Sequence, residues 1–343
     1  MTTHKEYQMT LTTNFIEIKQ APDLPGLNFR GFLGRQDFPH MAEIINAVYQ
    51  TDAIERRISA EEIESNYGYL QRSDTSQDLI FIEIDGTPVG YGRCMWDKVL
   101  DGEYVYSFFI HMKQEWRNHG IGTAVAKHFM RRLTEIASEH PGHADKYFQS
   151  WGEQSQTWYR GLLENLGYKP VRYGLSMIRP ASLPLKVHAL PGNLEVRLVQ
   201  PKDYRKVWEA DAEAFRDHWG FVEMTEKDYQ AFLEFPYFEP ELWKVAWDGD
   251  QVAGMVRNFI NPTENELFNR QRGYTEFISV RRPWRRQGVA RALLTQSIQM
   301  FMDMGMDETS LGVDTENPNG ALDLYQSVGY REVKRFYTYR KPF

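Results

Sequence analysis

The stretch Phe277 to Leu294 reads FISVRRPWRRQGVARALL. An apolar run of strand type, Phe277-Ile278-Ser279-Val280, enters a basic turn around Pro283 and passes into an Ala/Leu/Arg-rich helix near Gly288. A strand that breaks into a small-residue turn and opens a helix makes an anion site. The first helical amides have no internal partners, and the helix dipole adds partial positive charge there. Gly288 and Ala290 leave those amides open, and Arg285 and Arg286 add full charges. The stretch reads as a pyrophosphate cradle.

A second copy lies earlier. His111 to Val125 reads HMKQEWRNHGIGTAV, where Arg117, Gly120 and Gly122 match Arg285, Gly288 and Ala290 at an offset of 288 − 120 = 168 positions. A single R-x-x-G-x-G/A is a weak signal, but two at an offset of about half the chain predict a tandem repeat. The 343 residues suit two domains, and 42% hydrophobic with 25% charged residues is the composition of a globular protein. No apolar run is long enough for a membrane helix, and the N-terminus lacks the layout of a signal peptide. Cys94 is the only cysteine, which rules out an internal disulfide and a cysteine-rich metal site. A net charge of −7 argues against general nucleic-acid binding. The expected location is the cytoplasm, with no membrane partner and no metal.

Read in order, residues 1–27 form an N-terminal arm broken by Pro22 and Pro25. Strands are expected at 28–32, 79–84, 89–93, 103–112 and 147–151, with helices at 37–49, 123–139 and 157–166. Prolines 180, 184 and 191 mark a linker at 181–193 between a domain at 28–180 and another at 194–343. The second half repeats the order β-α-β-β-β-α-β-α-β. That order predicts an α+β class with a mixed, mostly antiparallel sheet flanked by helices in each half, rather than a strictly alternating doubly wound fold.

Each half resembles the GNAT superfamily of acyl-CoA-dependent N-acetyltransferases. The C-terminal half adds a second motif of that family, Val313-Asp314-Thr315-Glu316-Asn317, followed by Ala321-Leu322-Asp323-Leu324-Tyr325 and Gly329-Tyr330. The tandem layout, with the better-kept motifs second, is similar to the mycothiol synthase type. The resemblance implies acetyl-CoA as co-substrate, with backbone groups near Ser279 and Val280 meeting the pantetheine and thioester. It implies that the amides of Gln287, Gly288, Val289 and Ala290 hold the pyrophosphate, and that Asn317 and the first-half set Arg117, Gly120 and Gly122 also bind coenzyme. Tyr325 stands where the family often has its general acid; the competing reading is a packed helix aromatic. An ordinary pKa of about 10 suits that acid role.

The candidate base is Glu276, which shares a strand face with Ile278 and Val280 in a regular strand. The residues are equally compatible with an ordinary solvated carboxylate. Asp314 competes as a base, or serves as a turn aspartate. In the first half the counterparts of Glu276 and Tyr325 are Phe108 and Leu163, so that domain is expected to be catalytically degenerate; Tyr159, one turn before Leu163, is not expected to substitute. The region Phe215–Phe238, with Asp217, His218, Trp219, Tyr229, Phe235 and Tyr237, offers aromatics and acids for a polyol or cationic amine, or else interface core. The expected activity is acetyl transfer to a primary amine of a small molecule by direct attack in a ternary complex. The alternatives are a non-catalytic acyl-CoA sensor and a protein N-acetyltransferase. The assembly is expected to be a monomer with an internal pseudo-dimer, or a homodimer.

Overall fold

The computed structural model describes residues 15–343, so residues 1–14 of the expected arm lie outside the described residues. The first half contains β1 Leu27–Arg30, α1 Phe38–Thr51, α2 Ala60–Gly68, α3 Thr75–Asp78, β2 Leu79–Ile84, β3 Thr87–Lys98 and β4 Tyr104–Met112. It continues with α4 Ile121–Ser138, β5 Lys146–Glu153, α5 Thr157–Asn165 and β6 Lys169–Pro180. The second half contains β7 Glu195–Val196, α6 Tyr204–Phe215, α7 Glu226–Leu233, β8 Lys244–Asp248, β9 Gln251–Ile260 and α8 Pro262–Leu267. It ends with β10 Arg272–Val280, α9 Val289–Asp303, β11 Glu308–Asp314, α10 Ala321–Ser327 and β12 Arg331–Pro342. The repeated order is the expected one, with α2, α3, α7 and α8 added.

Strand alternation assigns the layers. Ile80 and Ile82 of β2 join α4 and α5 in one core, while Leu79 and Phe81 join α1 and α2 in another on the opposite face. In the second half Val245, Trp247 and Met255 pack with α6 and α7, whereas Ala246, Ala253 and Val256 pack beneath α9. Helices thus cover both faces of a mixed sheet.

The two halves share one twelve-stranded sheet, in the order β1-β2-β3-β4-β5-β12-β6-β11-β10-β9-β8-β7. At its centre the final strands are exchanged. β6, from the first half, runs antiparallel to β11, pairing Gly174–Pro180 with Glu308–Asp314. β12, from the second half, pairs Phe336–Pro342 with Tyr147–Glu153 of β5. The cores follow the strands: Leu175 and Met177 of β6 pack with Leu294, Ile298 and Tyr325, and Tyr339 of β12 packs with the first-half core. Ile16 and Ile18 of the arm also pack there, with the Ile16 amide donating to the Phe29 carbonyl at 2.9 Å.

Candidate active site

β10 and β11 pair only from Arg272–Tyr274 to Glu308–Ser310. Beyond that point they part, and a cavity of about 840 Å³ opens between them and α9 and α10. On its other edge β10 carries a bulge against β9: Glu276 faces Arg257 and Ser279 faces Met255, so Phe277 and Ile278 together oppose one residue. Phe277 absorbs the irregularity at φ 49°, with the Arg257 guanidinium 3.9 Å from its ring centroid. A bulge takes backbone groups out of the ladder and re-aims side chains, and this one does so on the cavity wall.

Glu276 and Tyr325 both line this cavity. Glu276 is half-buried, and desolvation raises its carboxyl to about 7, opposed by the backbone of Gly312 and the charge of Arg56. Tyr325 is buried, and its hydroxyl has no hydrogen-bond partner among the described residues. Burial, then the Glu276 charge, holds its phenol above the ordinary value, so it stays protonated at neutral pH. The end of α10 is fixed by Gly329 at φ 102°, which lets the Tyr330 amide turn back to the Tyr325 carbonyl at 3.1 Å. From β6, Arg179 donates to the Val328 carbonyl at 2.7 Å, so an exchanged strand helps to hold the helix that carries Tyr325.

At the other end of the cavity α9 begins after Gly288, whose φ of 90° turns the chain into the helix. The amides of Val289, Ala290 and Arg291 donate to no backbone carbonyl, and all three residues line the cavity. Arg286 lines it too, with only a 3.4 Å contact to the Asn319 carbonyl. Arg285 also lines the cavity, but its guanidinium is engaged inside the protein, on the Val280 carbonyl at 2.8 Å, the Ala214 carbonyl at 3.0 Å and Asp217. Hydrogen bonds from Arg282 and Arg285 hold Asp217 well below the usual carboxylate range. Arg285→Gln is expected to destabilise the fold by about 1–3 kcal/mol, because it strands those partly buried partners. Arg286→Gln is expected to leave the melting temperature unchanged and weaken anion binding. Thermal melts and coenzyme titrations on the two variants check this.

The remaining expected residues divide. Val280 lines the cavity, as does Ser279, but the Ser279 hydroxyl turns to Asp211 at 2.7 Å, leaving its backbone for a ligand. Asn317 lines the cavity with its amide nitrogen 3.1 Å from His218 Nε2. Gln287 is exposed, and its side chain donates to the Pro283 carbonyl. Asp314 accepts from Arg172 at 2.6 Å and caps the Glu316 amide, which is the turn arrangement. His218 and Arg291 also line the cavity. Nothing local in the stretch Phe215–Phe238 distinguishes His218 from Trp219.

The first-half copy keeps the loop geometry. Asn118 and Gly120 have φ of 65° and 83°, against 63° and 90° for Arg286 and Gly288. The space at Gly122 is filled by the protein itself. A methyl group on Gly122 would come within 2.9 Å of the Trp158 ring, and Arg117 is buried on Asp52 and the Met112 carbonyl. β4 has no bulge, since its ladder with β3 runs unbroken from Met112 to Tyr104. Phe108 and Leu163 are fully buried, and the Tyr159 hydroxyl closes on the Ser150 hydroxyl at 2.8 Å and the Phe108 carbonyl at 3.3 Å.

On the α1/α6 face, the exchanged strands leave a groove between the halves. Its floor is small: Gly312 is in register with Ser176, and Asp314 with Gly174. One part is a cavity of about 460 Å³ whose lining includes Asp97, Trp151, Arg172, Trp219 and Arg340, and it shares Gly312–Asp314 with the first cavity. Trp219 is stacked under Arg340 and Arg172, at 4.3 and 5.0 Å. The same loop joins the halves, the Leu100 amide donating to the Phe221 carbonyl at 2.8 Å. Tyr229, Phe232 and Phe238 of the aromatic region Phe215–Phe238 pack into the core under α6 instead.

Against known families, residues 41–168 and 204–330 each match the acetyltransferase (GNAT) family. A mycothiol acetyltransferase from Streptomyces bingchenggensis is 24% identical over 313 residues, covering 88% of this chain and 93% of that protein. The N-alpha-acetyltransferase MAK3 of Arabidopsis thaliana is 38% identical over 105 residues, 31% of this chain, and the match spans about half (53%) of that protein's length. Among solved structures, a GCN5-related N-acetyltransferase from Sphaerobacter thermophilus superposes with a TM-score of 0.69 at 25% identity, covering 94% of this chain and 96% of that one.

Proposed function

We propose that this chain, which belongs to the acetyltransferase (GNAT) family, transfers an acetyl group from acetyl-CoA to a primary amine of a small molecule, with the chemistry in its C-terminal half. The observation that carries the reading is the meeting of Glu276, Tyr325 and the free amides of α9 in one cavity, at the splay of β10 and β11. The residues fit a coenzyme: amides of Gly288 to Arg291 with Arg286 would take the pyrophosphate, and the bulge backbone would take the pantetheine and thioester. The acceptor would approach from the groove face. Glu276 removes a proton from the ammonium, directly or through water. The amine nitrogen attacks the thioester carbonyl, a C–N bond forms as the C–S bond breaks, and Tyr325 protonates the departing thiolate. A carboxyl with a pKa of about 7 is well matched to that base role.

The test is thiol release from acetyl-CoA across a panel of small amines. Because the base must be ionised, kcat/KM is expected to rise with pH through about 7. The raised phenol of Tyr325 gives no falling limb in the neutral range. Glu276→Gln should lower the rate and flatten the rise. A rise that survives in Glu276→Gln would reassign the base.

A peptide N-terminus is the second reading, and the likeness to MAK3 favours it. A peptide panel in the same assay separates the two. The groove between the halves, walled by Trp219 and Trp151, supports the small acceptor.

A further inference from the structure

Resting on that reading, we propose that the segment after α1 and the exchanged strand β12 together supply an anion subsite for the acceptor, formed by Arg56 and Lys334, so that the preferred amine carries a carboxylate at its far end. The register fixes the geometry. Gly312 faces Ser176, and Ser176 faces Lys334, so the three lie in one row across β11, β6 and β12. Directly paired residues point to the same face. Glu276 lies on that face: its carboxylate oxygens are 3.8 Å from where a Gly312 side chain would begin. Two strand spacings therefore separate the Gly312 position from Lys334, roughly 10 Å. Between them the floor is glycine and serine, which leaves room for an extended aliphatic chain.

The far end of the row is covered by the segment that follows α1. Lys334 Nζ donates to the Ala53 carbonyl at 3.3 Å, and Glu55 is bound by Arg270 at 2.7 Å. Arg270 also contacts the hydroxyl of Tyr274, two residues before Glu276 on β10. The segment is thus pinned on both sides of the groove, and Arg56 directly follows the second pin. Arg56 makes no ion pair among the described residues and is exposed. Its charge is felt by both Glu276 and Glu153. Glu153, nine-tenths buried with one carboxylate oxygen unpartnered, is held toward its neutral form by desolvation. Two cations facing one carboxyl make a net positive end to the groove, opposite the base.

The experiment uses the full chain saturated with CoA. Linear ω-amino carboxylates of increasing length are titrated against alkylamines of matched length, by calorimetric binding to the CoA-saturated chain and by acetyl transfer with acetyl-CoA in its place. The expected result is an optimum at an intermediate length, where the carboxylate binds at least tenfold more tightly than its alkylamine. That preference should fall to within about twofold in Arg56→Gln/Lys334→Gln and be largely kept in Arg56→Lys. Equal binding of the two series by the wild type, or a preference that survives the double substitution, overturns the proposal and leaves acetyl transfer standing. A preference in binding with no transfer to any amine would instead remove the proposed activity while supporting the subsite.

Discussion

Tyr325→Phe is expected to lower kcat for thiol release by about 10²–10⁴-fold, the range for loss of a positioned general acid. Coenzyme affinity should stay within about twofold, because the ring is kept and only a hydroxyl without a protein partner is removed. The ring itself is buried in the core formed by β6, α9 and β11, so Tyr325→Ala would confuse packing with chemistry. The effect should be greatest for leaving groups that most need a proton, and a thioester of a more acidic thiol should narrow the gap. A full-rate Tyr325→Phe enzyme would make Tyr325 a packing residue.

The second large effect concerns where the C-terminal unit begins. A fragment of residues 194–343 matches the boundary expected from the prolines, but it lacks β6. It would lose the whole ladder along β11, the burial of Leu175 and Met177, worth roughly 1.5–3 kcal/mol each, and the Arg179 contact at the end of α10. Losses of that size are comparable with the stability of a whole domain. We propose that the functional unit starts at β6. Residues 169–343 should fold and bind coenzyme, whereas 194–343 should be unfolded or aggregated and bind none. Circular dichroism and calorimetric titration of the two fragments test this, and a folded, coenzyme-binding 194–343 would contradict it.

What was legible in the sequence was local. The turn, the glycines and the following helix are contiguous from Phe277 to Leu294, so the cradle and its repeat could be read directly. The pattern of strands and helices follows the same short-range signals. The exchange of β6 and β12 could not be read, because Leu175 pairs with Val313, and Tyr339 with Ser150, at separations of 313 − 175 = 138 and 339 − 150 = 189 positions. For the same reason Arg285 reads as free charge in sequence, although Asp217, 68 positions earlier, takes it up. The bulge at Phe277 is another long-range product. Both copies of the strand look regular in sequence, and only pairing with β9 shows the extra residue.

The stoichiometry of coenzyme binding tests the central claim most directly. Isothermal titration of the full chain with acetyl-CoA should give one site per chain, lost when Gly288 is replaced by aspartate and retained when its exposed counterpart Gly120 is. One site with that dependence places the coenzyme in the C-terminal half alone. Two sites, or a single site that follows Gly120, would contradict the account.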